Sequence, residues 1–193
     1  MTKTRDSSAP ASGRERILEA AVGRFSRQSY DQTGLREIAA DAGVDVAYVH
    51  RAFGSKEQLF HAAVKRVMQT EKFLDDLGTD PARMLAAHVV SKSKADAGCE
   101  AGPMGILIHS LTSPKAAAVL RAVVIEDFVA PLGTQLDANA TQRAALAAAL
   151  LMGFSILRDV LELPVLTEGP GGSLERGLAD ALAVVLGQTK PEI

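Results

Sequence analysis

The chain offers few side chains whose types and spacing could do chemistry, and the densest group lies between Asp45 and Lys56. There the segment VAYVHRAF sets Tyr48, His50 and Arg51 within one helical turn of each other. A phenol, an imidazole and a guanidinium at that spacing make no obvious acid–base pair for turnover; they offer hydrogen bonds and positive charge to base edges and phosphate oxygens. Other chemistries find less support. His50, His61, His88 and His109 have no His or Cys three or four positions away, so no metal site is expected. Ser110 and Ser155 stand in no nucleophile elbow, and the carboxylate pairs Asp75–Asp76 and Glu126–Asp127 are sequence neighbours that diverge on a helix. The segment EGPGGS near residue 170 lacks the lysine of a phosphate-binding loop and reads as an interhelical linker. Cys99 is the single cysteine; it excludes an intrachain disulfide, and its neighbours Gly98 and Glu100 suit an idle thiol. No catalytic residue, metal or cofactor is therefore expected.

The polar group needs elements to hold it. From Gly13 to Gln28, Ile17, Ala20, Ala21 and Phe25 recur at helical spacing against a face of Arg14, Glu15, Arg16, Arg24 and Arg27, with Ser12 and Glu15 as a capping box. After the turn formers SYDQTG, a second helix runs from about Leu35 to Ala42, with Thr33 or Gly34 as cap and Glu37 at its positive end. Gly43 stands where a left-handed residue ends a helix. Asp45 then caps a third helix over VAYVHRAF, with Val46, Val49 and Phe53 inward and Ala47, Tyr48, His50 and Arg51 outward. Ser55 caps a fourth, which continues to about Leu74. Two short helices about a glycine turn, braced on each side, form the helix-turn-helix arrangement, whose second helix enters the DNA major groove. The candidate DNA contacts are Thr33, Arg36, Val46, Ala47, Tyr48, His50, Arg51 and Lys56. Arg36 and Lys56 lie near helix N-termini, where cation and N–H groups both suit phosphate; the plainer reading of each cation is a solvated surface residue. Phe53, Leu59 and Phe60 read as core.

The string LREIAADAGVDVAYVHRAFGSKEQLF resembles the DNA-binding segment of the tetracycline-repressor (TetR) family, with its IA..AGV second helix, short recognition helix and FGSKE.LF opening of the fourth. The resemblance spans about residues 13 to 64, with Ser29, Gly34, His50 and Ala52 departing from the commoner family types. It implies a DNA-binding regulator that works as a homodimer on a palindromic operator, most often as a repressor, and answers to a small-molecule effector bound in the rear domain.

Behind this head the helical segments Asp80–Ala95, Gly102–Ser110, Pro114–Ala130, Thr141–Leu163 and Ser173–Leu186 alternate with Gly, Pro or polar breaks, and none alternates as a strand would. The fold class is all-α: a flexible arm over residues 1–12, a head over 13–60 and a helical effector and dimerisation domain over 61–193. The helix TQRAALAAALLMGFSILRDVLELP is apolar round most of its circumference, and SLERGLADALAVVLG carries one apolar stripe. Either they complete the subunit's own core or, as the resemblance implies, they build a four-helix dimer interface, with Leu150, Phe154, Leu157, Leu161, Leu174, Leu178, Leu182 and Val185 as its candidates. Two recognition helices would then stand about 34 Å apart, one turn of duplex. The effector pocket implied by the resemblance has Met68, His88, Met104, His109, Phe128 and Phe154 as candidate lining, each equally readable as core filler.

Composition agrees with a helical, cytoplasmic protein that meets no membrane. Apolar residues are 47% of 193 with aromatics at 4%, so Ala, Leu, Val and Ile must build the core. The uncharged run Ala144–Leu157 is shorter than the roughly 20 residues of a membrane span. Residues 1–72 carry twelve Lys or Arg against nine Asp or Glu, and residues 73–193 nine against fourteen, so the front is the half suited to a polyanion. The reading from another class is a helical adaptor or small-molecule carrier that has lost DNA affinity; steeply salt-dependent DNA binding separates the two.

Overall fold

The computed structural model describes residues 12–68, 74, 78–91, 103–136 and 139–188. The arm before Ser12, the far end of the segment expected over Asp80–Ala95, and Cys99 lie outside them. The described residues form helices joined by turns and short irregular links, and contain no strand.

Local chemistry sets each boundary of the head. Helix α1 (Gly13–Phe25) opens with Ser12 accepting the Glu15 N–H through its hydroxyl. Glu15 does not complete the capping box, because its carboxylate pairs with Arg66 across the head at 2.9 Å. At the far end Ser26 donates its hydroxyl to the Val22 carbonyl, and the helix stops there rather than at Gln28. Helix α2 (Leu35–Asp41) begins at Gly34, whose N–H is accepted by Glu37 at 3.1 Å. It ends at Gly43, φ +63°, where the Gly43 and Val44 N–H groups return to the Ala40 and Ala39 carbonyls. That closure reverses the chain within two residues. Asp45 caps helix α3 (Val46–Phe53) by accepting the Ala47 N–H at 2.6 Å. Gly54, φ +78°, stops it, and Ser55 and Gln58 exchange a reciprocal pair of caps that starts helix α4 (Lys56–Met68). Phe25, Tyr30 and Phe60 fill the centre, with both other rings edge-on to Phe60 at 4.9 and 5.0 Å. Such pairs add about 0.5–1.5 kcal/mol each beyond burial.

The rear helices are α5 (Pro81–Ser91), α6 (Pro103–Ser110), α7 (Pro114–Val124), α8 (Ala140–Ser155) and α9 (Ser173–Leu186). Two π-helical turns, Ile125–Val129 after α7 and Ile156–Val160 after α8, extend those helices in ways the hydrophobic spacing did not indicate. With its π turn α8 spans Ala140–Val160, 21 residues, and by length and composition alone passes as a membrane span. Its buried side, Ala144, Ala147, Ala148, Leu151 and Phe154, packs with α9 and residues 125–133.

The core divides in two. One cluster joins α1 to α4 with Ile106 and Leu107 of α6 and Ala116, Leu120 and Val123 of α7. The other joins α5, Phe128 to Leu132, α8 and α9. Packing therefore continues from the head into α6 and α7.

Candidate nucleic-acid interface

The Gly43 turn leaves α3 projecting. Val49 and Phe53 are buried and anchor it, Val46 is half-buried, and Ala47, Tyr48, His50 and Arg51 are exposed. Within that face Arg51 lies 5.7 Å from the Tyr48 ring centre. The ring is itself braced by the start of α1: a Cβ built on Gly13 would fall 2.9 Å from it. His50 donates through Nδ1 to the Gly54 carbonyl at 3.1 Å, which fixes the imidazole on the outer side of the helix. Arg36 is exposed on the first turn of α2.

Lys56 opens α4 with its ammonium 4.4 Å above the Tyr30 ring. Burial lowers its pKa from the ordinary lysine value, while the Asp31 and Glu57 carboxylates pull the other way. Tyr30 beneath it is pushed well above the usual phenol range by burial and then by Glu57. The Glu57 carboxylate is close enough to act on the buried hydroxyl, yet not in the geometry of a hydrogen bond.

Thr33 is corrected by the structure. Its side chain is buried and its hydroxyl donates to the Ser29 carbonyl at 3.1 Å, so it locks the loop before α2 and offers nothing to phosphate. Arg14 was missed. It lies exposed on α1 with its guanidinium 4.4 Å over the Phe53 ring, beside the end of α3. The sequence shows it only as one of several charges on a polar face; its closeness to α3 needs the tertiary fold.

The rear-domain candidates divide. Met68 and Met104 are half-buried against the first core, Phe128 and Phe154 are buried in the second, and His88 is half-buried on α5. His109 is corrected: it is exposed on α6 and lines no interior. Near this junction Lys65 of α4 bridges at 3.2 Å to Asp127, buried in the first π turn. Arg158 of the second π turn donates to the Val89 carbonyl at 2.8 Å and stacks on Phe154. Two surface grooves, of about 580 Å³ by Arg16, Arg24 and Asp41 and about 480 Å³ by Pro81, Arg143 and Leu186, include none of the six candidates.

The interface candidates also divide. Leu157 and Leu161 are 40% and 60% exposed, and Leu150, Leu174 and Val185 are half-buried. Leu178, Leu182 and Phe154 are corrected: they lie in the subunit's own second core, because the α9 stripe is taken up by α5. On α8, the π turn after it and α9, Leu146, Val160 and Val184 are also exposed apolar residues.

A folded-back pair of short helices that presents a polar second helix, on an all-α body, defines a helix-turn-helix DNA-binding protein. Residues 17–63 match the family described as bacterial regulatory proteins, tetR family, and residues 75–186 match the tetracyclin repressor-like C-terminal domain. The chain belongs to the TetR family and is a DNA-binding transcriptional regulator. Among solved structures it is similar to a transcriptional regulator of Rhodococcus sp. Rha1, with 24% identity, TM-score 0.63 and coverage of 93% of this chain and 100% of that one. It is also similar to NalD of Pseudomonas aeruginosa, the secondary repressor of the MexAB-OprM multidrug efflux pump, with 18% identity, TM-score 0.62 and 91% and 94% coverage. A third is the multidrug binding protein EbrR complexed with ethidium, with 19% identity, TM-score 0.61 and 91% and 99% coverage. At these identities the likeness is one of fold. No curated protein matches the chain.

Proposed function

We propose that the protein is a homodimeric, effector-responsive repressor that reads a palindromic operator with α3 and grips the adjoining phosphates. Arg51, Tyr48 and Ala47 face the base edges, with Val46 at their margin. Arg36, Lys56, His50 and the newly identified Arg14 face the backbone. The observation that carries this reading is the projection of α3: its apolar residues are committed to the head while four consecutive-turn positions, Ala47, Tyr48, His50 and Arg51, are exposed together. A duplex groove accepts a helix presented in that way.

The dimer is supported by the exposed Leu157 and Leu161 at the π turn after α8 and Val184 on α9, and by the pairing through the last two helices that the family resemblance implies. The effector site is proposed among the rear helices, where Met68 and Met104 pack on the first core and Phe128 and Phe154 on the second. EbrR, similar in fold, was solved with ethidium, which makes an aromatic or amphipathic effector the first class to try here.

Footprinting on DNA flanking the coding region, followed by a salt titration of binding, tests the reading. A two-fold symmetric footprint and a steep fall in affinity with salt are the expected results. Binding that is weak, equal on random DNA and free of symmetry would assign the chain to a helical carrier instead.

A further inference from the structure

The head is attached to the body at a second place besides α4, and that place is closely built. A Cβ placed on Gly105 of α6 would fall 2.8 Å from the Ser26 carbonyl oxygen, at the end of α1. Eight residues on, beyond the end of α6, the Ser113 hydroxyl donates to Asp31 at 3.1 Å. Ser26 and Ser113 are both buried. The two contacts hold two points, Ser26 and Asp31, on the one linker, residues 26–34, that joins α1 to α2.

That linker is stiff. The Ser29 carbonyl accepts the N–H groups of Gln32 and Thr33 and the Thr33 hydroxyl, and Ser29 also bonds the Gln32 side chain. A displacement imposed at Ser26 or Asp31 is therefore passed to α2 rather than absorbed. Among the described residues, the buried side-chain oxygens without a hydrogen-bond partner are those of Tyr30 and Ser110, one on each element of this seam.

We infer that Gly105 and the Ser113–Asp31 bond are positioning residues that set the tilt of the reading head on the body, and through it the separation of half-sites that the dimer accepts. The inference rests on the dimer reading above. Gly105 lets α6 close onto α1; a side chain there must push the Ser26 backbone away. The hydrogen bond fixes the linker a second time, at Asp31. None of these residues faces DNA.

The experiment uses the full chain and a series of duplexes carrying the footprinted half-sites, with the separation changed one base pair at a time. The wild type is expected to show one preferred separation. Gly105→Ala should move that optimum by about one base pair, some 3.4 Å of duplex. Ser113→Ala should flatten it, lowering the ratio between the best and adjacent separations by about threefold or more. Asp31→Asn keeps an acceptor for Ser113 and should retain the wild-type preferred separation and width. Ser113→Ala carries the test should Gly105→Ala melt early. Folded variants that keep the wild-type optimum and width, or that lose affinity equally at every separation, overturn the inference. A wild type with no preferred separation overturns the dimer reading, and this inference with it.

Discussion

The Lys56 ammonium sits 4.4 Å above the ring of Tyr30, so the cation proposed to meet DNA phosphate rests on a residue of the head's core. A cation over an aromatic face gains about 0.5–2 kcal/mol, more where water is excluded. The ring thus holds the charge at the start of α4. Lys56→Ala should weaken operator and random DNA alike and lower the slope of log affinity against log salt by about 1. A loss confined to the operator would move Lys56 to base reading. Tyr30→Phe should leave that slope alone, and should leave stability equal or raise it by up to about 1 kcal/mol, because the hydroxyl removed is buried without a partner.

Arg51 and Tyr48 act as one unit, with the guanidinium near the ring and the ring braced on Gly13. Arg51→Ala should cost about 1–3 kcal/mol on the operator and relax preference at one base position, measured by competition with singly substituted sites. Tyr48→Phe keeps the brace and should lose less than Tyr48→Ala. Equal losses for the two would assign the contact to the hydroxyl alone.

The head was legible because its signals are local. Asp45 caps the next helix two residues on, Gly43 adopts the conformation its neighbours demand, and the spacing of Val49 and Phe53 reads directly as an inner face. Thr33 misled for the same local reason: a hydroxyl before a helix resembles a cap, yet here it folds back onto Ser29. In the rear domain an apolar stripe announces that a helix has a partner without saying which. Leu178 and Leu182 met α5 of their own subunit, while Leu157 and Leu161 stayed outside. His109 lies on a helix with little polar contrast, PMGILIHS, whose inward side is decided by the Gly105–Ser26 approach, a contact between residues far apart in sequence.

Asp41 gives the head a dependence on acid. Its carboxylate accepts from Arg24 through Nε and, at 2.9 Å, through Nη2, and this bond holds its pKa below the ordinary carboxylate value. A group whose folded pKa is depressed stabilises the fold above its unfolded pKa, about 3.9, and that contribution is lost as pH falls through the folded value. Both partners are partly exposed, so the effect is below about 1 kcal/mol. Denaturant melts should find Asp41→Asn slightly less stable than wild type at pH 7, with the difference closing in strong acid. A gap that stays constant down the whole pH range would show that the charge of Asp41 is not the cause.

The last two helices allow the subunit and the dimer to be tested apart. In α9, Gly177, Ala181 and Val184 recur at helical spacing on the exposed side, about a third of a turn round from the buried Leu178 and Leu182. A Cβ added to Gly177 would meet nothing within 4 Å in its own subunit. Leucine there removes a helix-interior glycine, worth about 0.8–1.0 kcal/mol in propensity, and leaves the subunit's packing untouched. A small residue on an exposed apolar stripe is what close approach of another helix requires. Gly177→Leu should therefore raise or preserve subunit stability while shifting light-scattering mass from dimer to monomer and abolishing tight operator binding. Leu182→Ala should do the reverse in kind: it empties a fully buried site and costs about 2–5 kcal/mol of stability before any change in assembly. If Gly177→Leu stays dimeric and binds the operator as wild type does, this side of α9 is solvent-facing and the partner subunit must dock elsewhere.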